Sequence, residues 1–228
     1  MENSLIVLKL ISVVYLLLLL PLYVVRSGRE DKLEISKFKM TLSVTFCAVG
    51  LIGSTLNDFS MYAVFILFGL MASLAGDYFL IFMDSVSARF KAGILCFGLA
   101  HVFYIVAMVS TVGFLHFDVL VSIILYVLIL YFTTRKKLDF GQEKYVLYIY
   151  GMLLVLMTVK ALSMIYFSPY AMQSRLMMAL GATLFMASDI FLAKHKYMKG
   201  SSHYRILNSI TYFTGQLLIA ASLFYTFI

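Results

Sequence analysis

The chain has 228 residues, of which 63% are hydrophobic and only 13% charged, with a mean hydropathy of +0.98. That balance excludes a sizeable soluble domain, for which roughly 45–50% apolar residues is usual. The formal net charge of +7 lies in short connections between apolar runs, where it reads as a membrane-orientation signal rather than a nucleic-acid surface.

A helix needs about 20 predominantly apolar residues to cross the hydrocarbon of a bilayer, and eight runs qualify. The first, 5–25, carries Pro21 near its end. It is long, has no basic start and no A-x-A site, so it is expected to be a helix and not a signal peptide. The second, 39–56, is the weakest, being short and rich in Ser and Thr. The third, 61–83, contains SLAGDYFLIF, and the fourth, 90–112, contains FGLAHVFYI. The fifth and sixth are 116–134 and 145–167; the seventh, 174–193, contains GATLFMASDIFLA, and the eighth spans 206–227. The expectation is an all-α integral membrane bundle of eight transmembrane helices in one domain over 1–228. Cys47 and Cys96 both fall inside apolar runs and form no metal or disulfide pattern.

The basic residues give direction. Fifteen of the 18 fall in the odd-numbered connections: Arg26, Arg29, Lys32, Lys37, Lys39, Arg89, Lys91, Arg135, Lys136, Lys137, Lys144, Lys194, Lys196, Lys199 and Arg205. The even-numbered connections hold only Arg175, while Lys9 and Lys160 lie within spans. Positive charge stays cytoplasmic, so both termini are expected on the other side. The host membrane would be the inner membrane of a bacterium or the endoplasmic reticulum of a eukaryote. Lys160 is expected to snorkel toward the outer surface.

Direction converts sequence position into depth. Asp77 and Asp189 both fall in the cytoplasmic half of inward-running helices, where an aspartate costs roughly 2.5–3.5 kcal/mol on insertion scales. Neither has a lysine or arginine within a helical turn. His101 and Tyr104 lie near the middle of the fourth helix, and Asn208, Tyr212 and Gln216 form an i, i+4, i+8 stripe on the eighth. Ser73, Asp77 and Asp84 form another on the third. Intramembrane polar groups usually face the bundle interior or a wet cavity, so these groups are expected to meet in one cavity open to the cytoplasm. Small residues at Gly69 with Ser73 and Ala72 with Gly76 would let a neighbour approach closely. GDYFL in the third helix echoes SDIFL in the seventh, and each precedes a helix with a central polar group, AHVFYI and GQLLIA. Two parallel four-helix halves related by an axis along the membrane normal fit that echo.

AGDYFL, GLAHVFYI, YGMLLVLM, GATLFMASDIFLA and TYFTGQLLIAAS together resemble the YhhN family of multi-pass membrane proteins, whose characterised members are lysoplasmalogenases. The resemblance runs from the second helix to the eighth. It places the family's G-D at Gly76–Asp77, its A-H-x-x-Y at Ala100, His101 and Tyr104, its S-D at Ser188–Asp189, and its late Tyr and Gln at Tyr212 and Gln216. Tyr150 and Met157 match the family's sixth helix. Two departures stand out. The Lys-Pro that opens the family's second helix has no proline here, leaving Lys39 or Lys37 as its counterpart, and the Ala before the late Gln is Gly215, a change expected to be harmless.

The resemblance implies hydrolysis of the vinyl ether of a lysoplasmalogen to a fatty aldehyde and a glycerophospho-base. The residues suit that chemistry on their own account. Protonation of the carbon β to the oxygen gives an oxocarbenium ion, which water attacks. One neutral carboxylic acid and one carboxylate suffice, as in two-carboxylate glycosidases, and apolar surroundings favour the neutral form of a carboxyl. On this reading Asp77 and Asp189 are catalytic. His101, Tyr104, Tyr212, Gln216 and Ser188 are supporting, Lys39 meets the head-group phosphate, and no metal or organic cofactor is needed. The partners are then the lysophospholipid and the surrounding membrane lipids, with no nucleic acid. HExxH and GxSxG are absent. An intramembrane aspartyl protease and a lipid or proton-coupled transporter are the competing readings of two membrane aspartates.

Overall fold

The computed structural model describes residues 2–27, 32–81, 87–135, 140–197 and 202–226. Arg29, Asp84, Lys136, Lys137 and Lys199 lie outside the described residues. Eight helices are long and apolar enough to cross a membrane: α1 (Glu2–Arg26), α2 (Lys32–Leu56), α3 (Met61–Ile81), α4 (Ser87–Val112), α5 (His116–Arg135), α6 (Lys144–Phe167), α7 (Met172–Tyr197) and α8 (Ser202–Ser222), the last followed by a 3₁₀ turn at Leu223–Tyr225. The chain has the build of a multi-pass membrane protein. Helices α2, α7 and α8 begin or end beyond the apolar runs. Backbone hydrogen bonding continues through Lys194, His195 and Lys196, whose long side chains can leave the hydrocarbon while the helix does not.

Pro21 is accommodated by a π-helical turn at Tyr15–Leu19. The wider turn relieves the clash that a proline ring makes with the carbonyl four residues before it.

The helices form two similar halves. α3 packs closely on α4, and α7 on α8; α2 on α3 is matched by α6 on α7; α1 on α2 by α5 on α6; and α4 on α6 by α8 on α2. Asp189 lies 112 residues after Asp77, Gly181 the same distance after Gly69, and Gln216 after Tyr104. Tyr104 OH donates to Gln216 Oε1 at 2.8 Å, so two residues equivalent under the repeat meet each other, as residues beside an internal two-fold axis would. α1 and α5 stand outside the ring made by the other six, and apolar side chains such as Leu17, Val25, Phe117 and Val127 face outward from them.

Close approach depends on glycine. A Cβ on Gly181 would lie 2.8 Å from the Gly215 carbonyl oxygen, and a Cβ on Gly215 would lie 2.8 Å from that of Gly181. Both obstacles are backbone, so α7 and α8 sit as near as they do because neither residue has a side chain. The exchange of the family's Ala for Gly215 is therefore not harmless, since the methyl would force the two helices apart. In the first half Gly69 makes room for the Tyr104 ring and Gly76 for the Phe97 ring.

The even-numbered connections share one end of the bundle with the C-terminus. Asn57 Nδ2 donates to the Leu223 carbonyl at 2.7 Å, and Thr226 Oγ1 donates to Asn57 Oδ1. At that end Lys160 does not snorkel. It is 2% exposed, and its Nζ lies 2.9 Å from Asp118 Oδ2 and 2.8 Å from the Gly113 carbonyl oxygen. Ser163 Oγ adds a donor to the same carboxylate at 3.1 Å. A buried charge is tolerated when paired and hydrogen-bonded, and this cluster ties α6 to the start of α5.

Candidate active site

Toward the other end, where the odd-numbered connections lie, the bundle holds a cavity of about 890 Å³. Asp77 on α3 and Asp189 on α7 both line it, as do Lys39, Tyr150, Asn208 and Tyr212. Most of the remaining wall is apolar, including Leu130 and Ile129 of α5, Leu154 of α6, Phe97 of α4 and Phe185 of α7.

The two carboxylates have unlike surroundings. Asp77 is 2% exposed and receives three donors. Ser43 Oγ and Tyr212 OH each lie 2.7 Å from its Oδ2, and Lys39 Nζ lies 3.2 Å from its Oδ1. Lys39 and Ser43 stand one turn apart on α2, so one stripe of that helix supplies both an ammonium and a hydroxyl. This set of donors suits an anion. Asp77 therefore does have a charge partner, on a neighbouring helix rather than its own. Lys39 is the α2 lysine that faces the cavity; Lys37 is exposed. α2 already starts at Lys32, so position 40 lies in the helix interior, where a proline would cost a hydrogen bond.

Among the described residues Asp189 has a single hydrogen-bond donor, Tyr150 OH at 2.5 Å. Tyr150 comes from α6 and was matched by sequence pattern without a place in the site. The Tyr150 ring rests against the His101 imidazole at 5.1 Å between centroids, and His101 meets the edge of Phe185 at 4.9 Å. His101 is fully buried, and neither of its ring nitrogens has a hydrogen-bond partner among the described residues. It stands behind the cavity wall and braces the ring that donates to Asp189.

The polar residues thus separate into a wall and a layer behind it. Tyr212 and Asn208 are on the wall; His101, Tyr104 and Gln216 are not. Along the α8 stripe the wall is left between Tyr212 and Gln216, where the side chain turns to Tyr104. Gln216 Nε2 and Ser73 Oγ are buried there without partners among the described residues. Ser188 is fully buried, and its hydroxyl donates back to the Phe185 carbonyl at 2.7 Å while its own carbonyl accepts from Asn208 Nδ2 at 2.9 Å. Its part is to fix α7 against α8 beside Asp189. The Tyr212 ring, packed edge-on against Phe46, Phe97 and Phe185, holds the hydroxyl that reaches Asp77.

Fold and cavity together define an eight-helix membrane protein with two aspartates on the wall of one intramembrane cavity. The model of the YhhN family matches residues 34–223, and the chain belongs to that family. No curated protein and no solved structure shows a significant match to the chain.

Proposed function

We propose that this protein is a lysoplasmalogenase, a hydrolase that cleaves the vinyl ether of a 1-alkenyl lysoglycerophospholipid to a fatty aldehyde and a glycerophospho-base. The observation that carries the reading is the unequal dressing of two carboxylates on one cavity wall: among the described residues Asp77 is held by Lys39, Ser43 and Tyr212, and Asp189 by Tyr150 alone. Family membership supports it.

The unequal dressing supports a division of roles. Asp189 carries the proton and delivers it to the alkenyl carbon β to the ether oxygen. The double-bond electrons form the new C–H bond, and the adjacent carbon becomes an oxocarbenium ion. Asp77, kept anionic by Lys39, stabilises that cation and accepts a proton from the attacking water. The hemiacetal then collapses: its hydroxyl proton returns to the acid, the carbon–oxygen bond to glycerol breaks, and the alkoxide leaves with the proton from Asp77. Atoms balance as one lipid plus one water giving one aldehyde and one glycerol hydroxyl. The apolar wall of α4 to α7 accommodates the single chain.

The test is substrate selectivity. Purified protein is given lysolipids of one chain length bearing a vinyl ether, a saturated ether or an ester. Aldehyde should appear from the vinyl ether alone, in equal amount to the glycerophospho-base. Release of fatty acid from the ester at a comparable rate, or no aldehyde, would sink the proposal.

A further inference from the structure

The mouth of the cavity carries basic groups that the acid chemistry does not use. Lys194, His195 and Lys196 end α7, Arg205 lies in the first turn of α8, and all four line the cavity. Lysines at the C-terminal end of a helix complement its dipole, so Lys194 and Lys196 have that reason to be there. Arg205 has the opposite position. It stands at a helix N-terminus, where the dipole already favours an anion.

Arg205 Nε and His195 Nδ1 are buried and have no hydrogen-bond partner among the described residues. A buried guanidinium N–H without an acceptor is costly, and a negative oxygen is its natural complement. Among the described residues the acids on the cavity wall are Asp77 and Asp189, and these are engaged by Lys39 and by Tyr150. Lys39, the residue expected to meet a phosphate, is thus committed to Asp77, and the phosphate needs another site. Lys194 Nζ lies 5.5 Å over the ring of Tyr204, the residue before Arg205.

The spacing suits a lysophospholipid. Residues 194 to 196 follow Asp189 by five to seven positions, about 7.5–10.5 Å along the helix at 1.5 Å per residue. In a 1-alkenyl glycerophospholipid seven bonds separate the carbon that takes the proton from the phosphorus. An extended chain advances roughly 3.3–3.6 Å per three bonds, so those seven cover about 8 Å.

The geometry points to Arg205 and His195, flanked by Lys194, as the binding site for the phosphodiester of the lipid head group. The site selects phosphate-bearing single-chain lipids over neutral glycerol ethers. This rests on the reading of the cavity as a lysolipid site.

The test uses the full chain in maltoside micelles and a probe that cannot react, a saturated 1-O-alkyl lysoglycerophosphocholine. Its dissociation constant is compared with that of 1-O-alkylglycerol, and glycerophosphocholine and inorganic phosphate are added as competitors. The wild type should prefer the phospholipid by about tenfold or more, the value of one or two charge-assisted hydrogen bonds. Arg205→Gln should remove most of that preference, Arg205→Lys less, and His195→Gln should reduce it several-fold; alkylglycerol binding should not change. Equal wild-type affinity for the two lipids would overturn the inference. So would an unchanged preference in both Arg205→Gln and His195→Gln. Displacement by either water-soluble phosphate at the lipid's own concentration would assign the cluster to a free phosphate ester and equally overturn it. Because the probe has no vinyl ether, selective binding without aldehyde release from a true vinyl ether would refute the reaction and spare the phosphate site.

Discussion

Replacing Lys39 by methionine removes the ammonium 3.2 Å from Asp77 and leaves the carboxylate with two hydroxyl donors. The lysine side chain is 15% exposed and that of Asp77 2%, so water compensates little. Breaking a buried ion pair by removing one member costs about 3–5 kcal/mol. The two remaining donors and the partial access at Lys39 favour the lower figure. For the reaction, the relevant loss is one hydrogen bond to a charged group, about 1.5–3 kcal/mol. At 1.36 kcal/mol per tenfold that is a fall of roughly 10- to 150-fold in kcat. Aldehyde release and Tm in detergent would be measured for the wild type, Lys39→Met, Lys39→Arg, Asp77→Asn and the Lys39→Met/Asp77→Asn double variant. Lys39→Arg should keep most of the activity, and the double variant should be no slower than Asp77→Asn alone. Activity of Lys39→Met within twofold of the wild type would refute the claim that Lys39 holds Asp77 as the working anion.

Tyr150→Phe should lower kcat about tenfold with little change in KM, because it deletes the Tyr150 hydroxyl that donates to Asp189 and leaves the ring against His101; an unchanged kcat would remove Tyr150 from the reaction. His101→Leu, which keeps a bulky apolar side chain against the Tyr150 ring, should retain turnover above both Asp variants; a folded His101→Leu variant as inactive as Asp189→Asn would mean the imidazole takes part in the proton transfer and does not merely brace that ring. Lys160→Met should lower stability by about 3–5 kcal/mol, whereas Lys160→Met with Asp118→Leu should recover most of it. Thermal unfolding in detergent reads this, and a double variant no better than the single would mean the ion pair itself, rather than an orphaned charge, carries the stability.

The helices were legible because basic charge collects at one end of each apolar run, and the repeat because GDYFL and SDIFL are each followed by a helix with a central polar group. What escaped the sequence is pairing between helices. Asp77 looked partnerless because a search along one helix cannot see Lys39 and Ser43, which are distant in the chain and one turn apart on α2. Their i, i+4 spacing was the available signal. Lys160 resembled a snorkelling lysine because no acid lies near it along α6; Asp118 comes from α5, and only packing of α5 on α6 buries both. Gly215 looked interchangeable with alanine because the obstacle is the backbone of Gly181 on another helix. His101, Tyr104 and Gln216 have the depth of the cavity but not its direction, and depth was all that the alternation of spans could supply.

The central claim is that two aspartates in one membrane cavity hydrolyse a vinyl ether. The direct measurement is aldehyde release from a lysoplasmalogen by purified wild type, Asp77→Asn and Asp189→Asn, each verified as folded by size-exclusion profile and Tm. The account predicts aldehyde from the wild type and a loss of ~10²–10⁴-fold in each variant, the usual contribution of a general acid or base. Activity within a few-fold of the wild type in either folded variant, or no aldehyde from the wild type, would contradict it.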